Sequence, residues 1–156
     1  MTRDPAVSMD EAQARIIGEM AGLEDWLEKY EYLVGMGRTL ESPEGIRSEE
    51  HVVPGCQSRV WIRARVEGGL LRIGADSDAL ITRGIIALLL QVLDGRPPER
   101  VAVADLYFLE RTGLSTHLSP SRANGLAAMV RQILEHAKAW AESGSASAPA
   151  DPAAGD

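Results

Sequence analysis

The run Val60-Trp61-Ile62-Arg63-Ala64-Arg65-Val66-Glu67-Gly68-Gly69-Leu70-Leu71-Arg72-Ile73-Gly74-Ala75 carries the clearest change of period in the chain. Val60, Ile62, Ala64 and Val66 alternate with Trp61, Arg63, Arg65 and Glu67, and a period of two predicts a half-buried strand. Gly68-Gly69 supplies the positive φ angles of a two-residue hairpin turn, so Leu70 to Ala75 is expected to return antiparallel. A short strand from about Ser48 to Val53 is expected to add a third member. The flanks of this hairpin keep a different period, close to 3.6.

Ser8 followed by Glu11 is a capping-box pattern, predicting a helix with Ile16, Ile17 and Met20 on its apolar side and Gly22 interrupting it. Leu27, Tyr30, Leu33 and Val34 predict a second helix from about Trp26 to Met36, with Gly35 and Gly37 marking its end. Leu40 to Glu50 reads as loop. Asp76-Ser77-Asp78 offers N-cap chemistry for a helix through Leu80, Ile85, Leu88, Leu89 and Val92, apolar on most sides and hence expected in the core. Short helices are expected at Pro98–Ala102 and near Leu106–Glu110. Ser119-Pro120 then opens a long helix to about Ala141, with Leu126, Met129, Val130, Ile133 and Leu134 as its buried stripe. The fold class expected is therefore α+β, a small antiparallel three-stranded sheet packed against helices. Residues 10–142 form one domain in this reading, with a disordered lead at 1–9 and a disordered Ala/Ser/Pro/Gly tail at 143–156.

A chain of 156 residues is long enough for one core without staples. Its net charge of −7 argues against a nucleic-acid partner, which a basic patch would favour. The longest apolar stretch, Ile85 to Leu90, is too short to span a bilayer. The first nine residues hold charges and a proline in place of an apolar signal core, and a single free thiol suits a reducing compartment; a cytoplasmic location is expected.

That thiol is Cys56, one cysteine in the whole chain, set in Val53-Pro54-Gly55-Cys56-Gln57-Ser58-Arg59-Val60-Trp61. Free cysteine is often a small buried hydrophobe. Here Pro54-Gly55 before it and Gln57-Ser58 after it predict an accessible loop instead. A dithiol oxidoreductase needs a resolving partner that is lacking. A zinc or iron-sulfur cage needs three or four ligands, and His51, His117 and His136 match no familiar spacing, so no metal site is expected. Three readings stay open: a cysteine-dependent enzyme with His51 or His117 as base, a group carrier that needs one accessible thiol and a docking surface, and a non-catalytic interaction domain in which Cys56 is structural.

Three blocks go further. The Val53–Trp61 run, Asp76-Ser77-Asp78-Ala79-Leu80-Ile81-Thr82-Arg83-Gly84 and Leu118-Ser119-Pro120-Ser121-Arg122-Ala123-Asn124-Gly125-Leu126 together resemble the SufE family, CsdE relatives included, over about residues 10 to 140. The resemblance implies an IscU-like α+β fold and a sulfur acceptor for a type II cysteine desulfurase of the SufS or CsdA kind. It implies that Cys56 takes persulfide sulfur, stimulates the desulfurase, and passes sulfur toward an iron-sulfur scaffold or another sulfur-using pathway. Pyridoxal phosphate would belong to the desulfurase, so no cofactor is expected here. Gly55 would let the loop turn, Gln57 and Ser58 would donate hydrogen bonds to a sulfur anion, and Arg122 would bring positive charge near it. A lone thiol suits this role, because a neighbouring thiol would resolve the persulfide to a disulfide.

Overall fold

Alternation in the central run becomes a hairpin in the structure, a computed structural model that describes residues 7–55 and 58–143. Strand β1 (Val60–Glu67) pairs antiparallel with β2 (Leu70–Ser77), Val60 opposite Ser77 and Glu67 opposite Leu70. Gly68 and Gly69, at φ 61° and 81°, make the turn, a left-handed pair that side chains with a Cβ resist. Val60, Ile62, Ala64, Leu71, Ile73 and Ala75 are buried on one face. Arg65 and Arg72 stand exposed on the other, opposite one another.

Helices cover the buried face. Helix α1 (Met9–Ala21) starts with the reciprocal Ser8–Glu11 capping box, and α2 (Trp26–Thr39) with the Asp25 carboxylate accepting from the Glu28 amide. Helix α3 (Leu80–Leu93) is buried on most sides, packed on β2 and α2. Short helices α4 (Pro98–Ala102), α5 (Phe108–Arg111) and α6 (Leu114–His117) lead into α7 (Pro120–Glu142), which packs on β1 and α4. Trp140 anchors α7 to the sheet by donating its indole N–H to the Ala64 carbonyl at 3.4 Å. Ile16, Met20, Leu33, Leu71, Ile86, Leu89, Phe108, Leu114 and Met129 are fully buried where these elements meet. No helix among the described residues is long and apolar enough to cross a membrane.

Four expectations are corrected. The segment before Cys56 is not a third strand: Glu49–His51 is a 3₁₀ turn, and only Val52 bridges to Trp61, so the sheet has two strands among the described residues. Ser48-Glu49-Glu50-His51 has no apolar alternation to bury, and the His51 ring turns back onto the Ile46 carbonyl at 2.9 Å. Gly35 and Gly37 do not end α2. A Cβ on Gly37 would run into the Leu80 carbonyl, and one on Gly84 into the Leu33 carbonyl, so these glycines let α2 and α3 cross backbone to backbone. Asp76 and Ser77 continue β2 rather than capping α3, whose N-cap, Ala79, has no side-chain hydrogen bond. At the N-terminus, Val7 and Met9 pack against the core and the Val7 carbonyl accepts from Arg96, so residues 7–9 of the expected lead belong to the fold. The rest of that lead and residues 144–156 of the expected tail lie outside the described residues.

Candidate functional site

The open end of the hairpin carries the segment around position 56. On the entering side, the Val53 amide donates to the Val60 carbonyl at 2.8 Å. On the leaving side, the Arg59 carbonyl accepts from the Ser77 hydroxyl at 2.8 Å and from the Asp78 amide at 3.3 Å. Val53 and Arg59 are thus fixed on either side of this segment. Pro54 and Gly55 turn the chain outward, both exposed, with Gly55 at φ 91°. A Cβ there would meet only ordinary contact, 3.7 Å from the Ala128 Cβ, so the backbone angle is what demands glycine. Cys56 and Gln57 lie outside the described residues.

Beside Ser58 lies a cavity of about 270 Å³ between β1, α3 and α7. Val60, Ile85, Leu126 and Met129 supply apolar walls, while Ser58, Thr82, Ser119, Ser121 and Arg122 supply polar ones. Ser119 caps α7 by accepting the Arg122 amide, and Pro120 fixes φ at the first helical position. The cavity therefore meets the first turn of a 23-residue helix, where the macrodipole favours negative charge. The exposed Arg122 adds a full positive charge. Ser58 and Arg122, drawn from distant parts of the sequence, line one cavity. A larger cleft of about 620 Å³ lies along α7, lined by Leu109, Ala123, Val130 and Leu134; it shares Leu126 with the smaller cavity but is almost wholly apolar.

The histidines are otherwise engaged. His51 is buried and places Nδ1 against the Ile46 carbonyl. His117 stacks on Trp26 at 4.3 Å, with Nδ1 3.1 Å from the Gly113 carbonyl. His136 lies on α7, with Nε2 3.3 Å from Gln132. Among the described residues no three His, Cys, Asp or Glu are grouped to hold a metal ion.

Sequence reasoning missed the ionic cluster behind the loop. Asp76 is 5% exposed, and its carboxylate accepts from Arg47 Nε at 2.8 Å, from Arg83 and from the Ser77 amide. Burial by itself pushes the Asp76 carboxyl up. The Arg47 and Ser77 hydrogen bonds, with the charges of Arg83 and Arg47, outweigh that and hold it below the ordinary carboxylate range. Arg47 also lies over the Trp61 ring, 4.6 Å from its centroid. Carrying the return strand one residue past Ala75 places Asp76 opposite Trp61 on the outer face.

A family model for SufE, described as an Fe-S metabolism associated domain, matches residues 14–137. This chain belongs to the SufE family. An uncharacterized SufE-like protein of Rhizobium etli is 36% identical over 130 residues, covering 80% of this chain and 88% of the relative. One of Rhizobium meliloti is 37% identical over 130 residues, covering 80% and 93%. In fold, this SufE-family chain is similar to a hypothetical protein of Thermus thermophilus solved in solution. The TM-score is 0.69 at 23% identity, covering 82% of this chain and 94% of the other.

Proposed function

We propose that this SufE-family protein is a sulfur carrier and that Cys56 is its acceptor. The observation that carries the reading is the cavity at Ser58, Arg122 and the first turn of α7. Chain connectivity alone keeps the Cys56 Cα within about 7 Å of that of Ser58. Positive charge and the helix dipole there favour an anion, and the species a carrier must hold are the Cys56 thiolate and its persulfide.

The step is thiol exchange on sulfur. The Cys56 thiolate attacks the outer sulfur of a persulfide on a type II cysteine desulfurase; a new S–S bond forms, the old one breaks, and the electron pair leaves on the desulfurase cysteine as thiolate. The persulfide proton is lost to solvent or retained according to pH, and no external oxidant or reductant enters. Arg122 and Ser58, joined by Gln57, steady the resulting anion, while Gly55 supplies the turn. Pyridoxal phosphate chemistry stays with the desulfurase, and the sulfur passes on toward iron-sulfur assembly in the cytoplasm.

Intact-protein mass after incubation with a type II desulfurase, pyridoxal phosphate and L-cysteine tests this. The wild type is expected to gain one or more reductant-labile sulfur atoms and to speed the desulfurase, while Cys56→Ser does neither. Equal masses and turnover for the two proteins would overturn the reading.

A further inference from the structure

We infer that Asp76 is a positioning residue for the Cys56 turn: one buried carboxylate ties together the two chain segments from which that turn is hung. The inference rests on the carrier reading for its consequence, and on geometry alone for the tie. On the entering side, Arg47 reaches Asp76 with Nε at 2.8 Å and the Ser77 carbonyl with its second nitrogen at 3.2 Å. Arg83 reaches the same carboxylate while donating to the Gly37 and Leu40 carbonyls at 3.0 and 2.8 Å. Ser42 donates to the Ala75 carbonyl at 3.2 Å. The stretch from Leu40 to Arg47, which feeds Val53 and the turn, is fastened by these bonds to the end of β2. On the leaving side, Asp76 fixes Ser77 through its amide at 2.7 Å, and the Ser77 hydroxyl holds the Arg59 carbonyl.

A buried ion pair is weak support for stability, because an apolar replacement of the same shape often does as well. What a carboxylate adds is direction: it accepts from three donors at once and so fixes the registry of segments whose buried Leu40, Ile46 and Val53 would tolerate small slips. The turn itself is exposed at Pro54 and Gly55. Pro54, Gly55 and Ser58 therefore take their positions from the stems on either side. An asparagine at position 76 would keep the volume but present an amide N–H to one of the arginines, releasing one stem while leaving the core intact.

Asp76→Asn, Arg47→Gln and Ser77→Ala would be assayed together with wild type at a temperature where circular dichroism shows all of them folded. With a type II desulfurase, Asp76→Asn is expected to lower the maximal rate of sulfur transfer at least about tenfold, as displaced reacting atoms do, with little change in the carrier concentration at half-maximal rate. Arg47→Gln is expected to lose less, and the double variant no more than Asp76→Asn. In the absence of desulfurase, iodoacetamide alkylation of Cys56 in Asp76→Asn should approach the rate of the guanidinium-unfolded chain. A folded Asp76→Asn with wild-type transfer and alkylation rates would overturn the inference. If Asp76→Asn does not fold, wild-type rates in both Arg47→Gln and Ser77→Ala would overturn it, since each keeps Asp76 paired with Arg83. Failure of wild type to accept sulfur would instead overturn the carrier reading, with alkylation still deciding the tie.

Discussion

Gly84→Ala tests the crossing on which the site is built. An added Cβ at position 84 meets the Leu33 carbonyl oxygen, its carbon at 2.7 Å and its Cα at 3.0 Å, all of them backbone. No rotamer change relieves that, so α2 and α3 must move apart at the centre of the core. Overpacking costs about 1–3 kcal/mol, and contacts made only with backbone put this site at the upper end. The gain in helix propensity from glycine to alanine, about 1 kcal/mol, offsets part of it, leaving a net loss of about 2 kcal/mol. With an m-value of about 2 kcal/mol/M in urea, the unfolding midpoint should fall by about 1 M at unchanged slope. Gly18 on α1 and Gly35 on α2 have nothing within 4 Å of a built Cβ, so alanine there should raise the midpoint instead. The contrast isolates the crossing from propensity. A Gly84→Ala midpoint at or above wild type would refute the reasoning. Loss of sulfur acceptance should accompany the loss of stability, because α3 carries Thr82 in the cavity and Arg83 on Asp76.

Two further outcomes are expected. Arg122→Ala should slow sulfur transfer to Cys56 several-fold while changing stability by no more than about 0.5 kcal/mol, since the side chain is exposed; transfer kinetics paired with urea unfolding check it. The Asp76 carboxyl is held below its ordinary value in the folded state, so it contributes stability above the unfolded carboxylate pKa and loses it as pH falls through the folded one. The stability gap between wild type and Asp76→Asn should therefore be widest above about pH 5 and close on acidification, as urea midpoints measured across pH will show; a gap independent of pH would mean that the ionised form is not what Asp76 contributes.

Where one residue announced one role, the sequence was enough. The Val60–Val66 alternation, the Gly68-Gly69 turn, the Ser8–Glu11 box and Ser119-Pro120 all act locally, and each produced the expected element. Expectations failed where a residue answers to a distant partner. Gly37 has the local chemistry of a helix stop, yet what it accommodates is the backbone of α3, more than 40 residues away. Asp76 has the local chemistry of an N-cap, yet Arg47 and Arg83 draw it into the sheet. Ser48 to Val53 holds two valines but no alternation before them, and a single bridge to Trp61 is all it forms. The same limit applies at the site. Ser58 and Arg122 stand in the motif blocks, whereas Thr82 enters the cavity only through tertiary structure, where α3 meets β1 and α7 residues far away in sequence.

An acidic chain can still hold a place suited to an anion. At a net charge of −7 its far field repels anions, so attraction must be local. The cavity meets the first turns of two helices, α3 through Thr82 and α7 through Ser119, Ser121 and Arg122. Both contribute first-turn residues, where a helix dipole presents its positive end, and Ser58 lines the same space. The field of a helix end fades within a turn, so it acts on a sulfur atom brought into the cavity and hardly at all on the surface that meets a partner. The proposed carrier role calls for that division. Its acceptor must favour the anion to attack and to hold a persulfide, whereas its outer surface must not gather unrelated anionic molecules. Local dipoles inside a negatively charged protein meet both demands, which a cluster of exposed lysines would not.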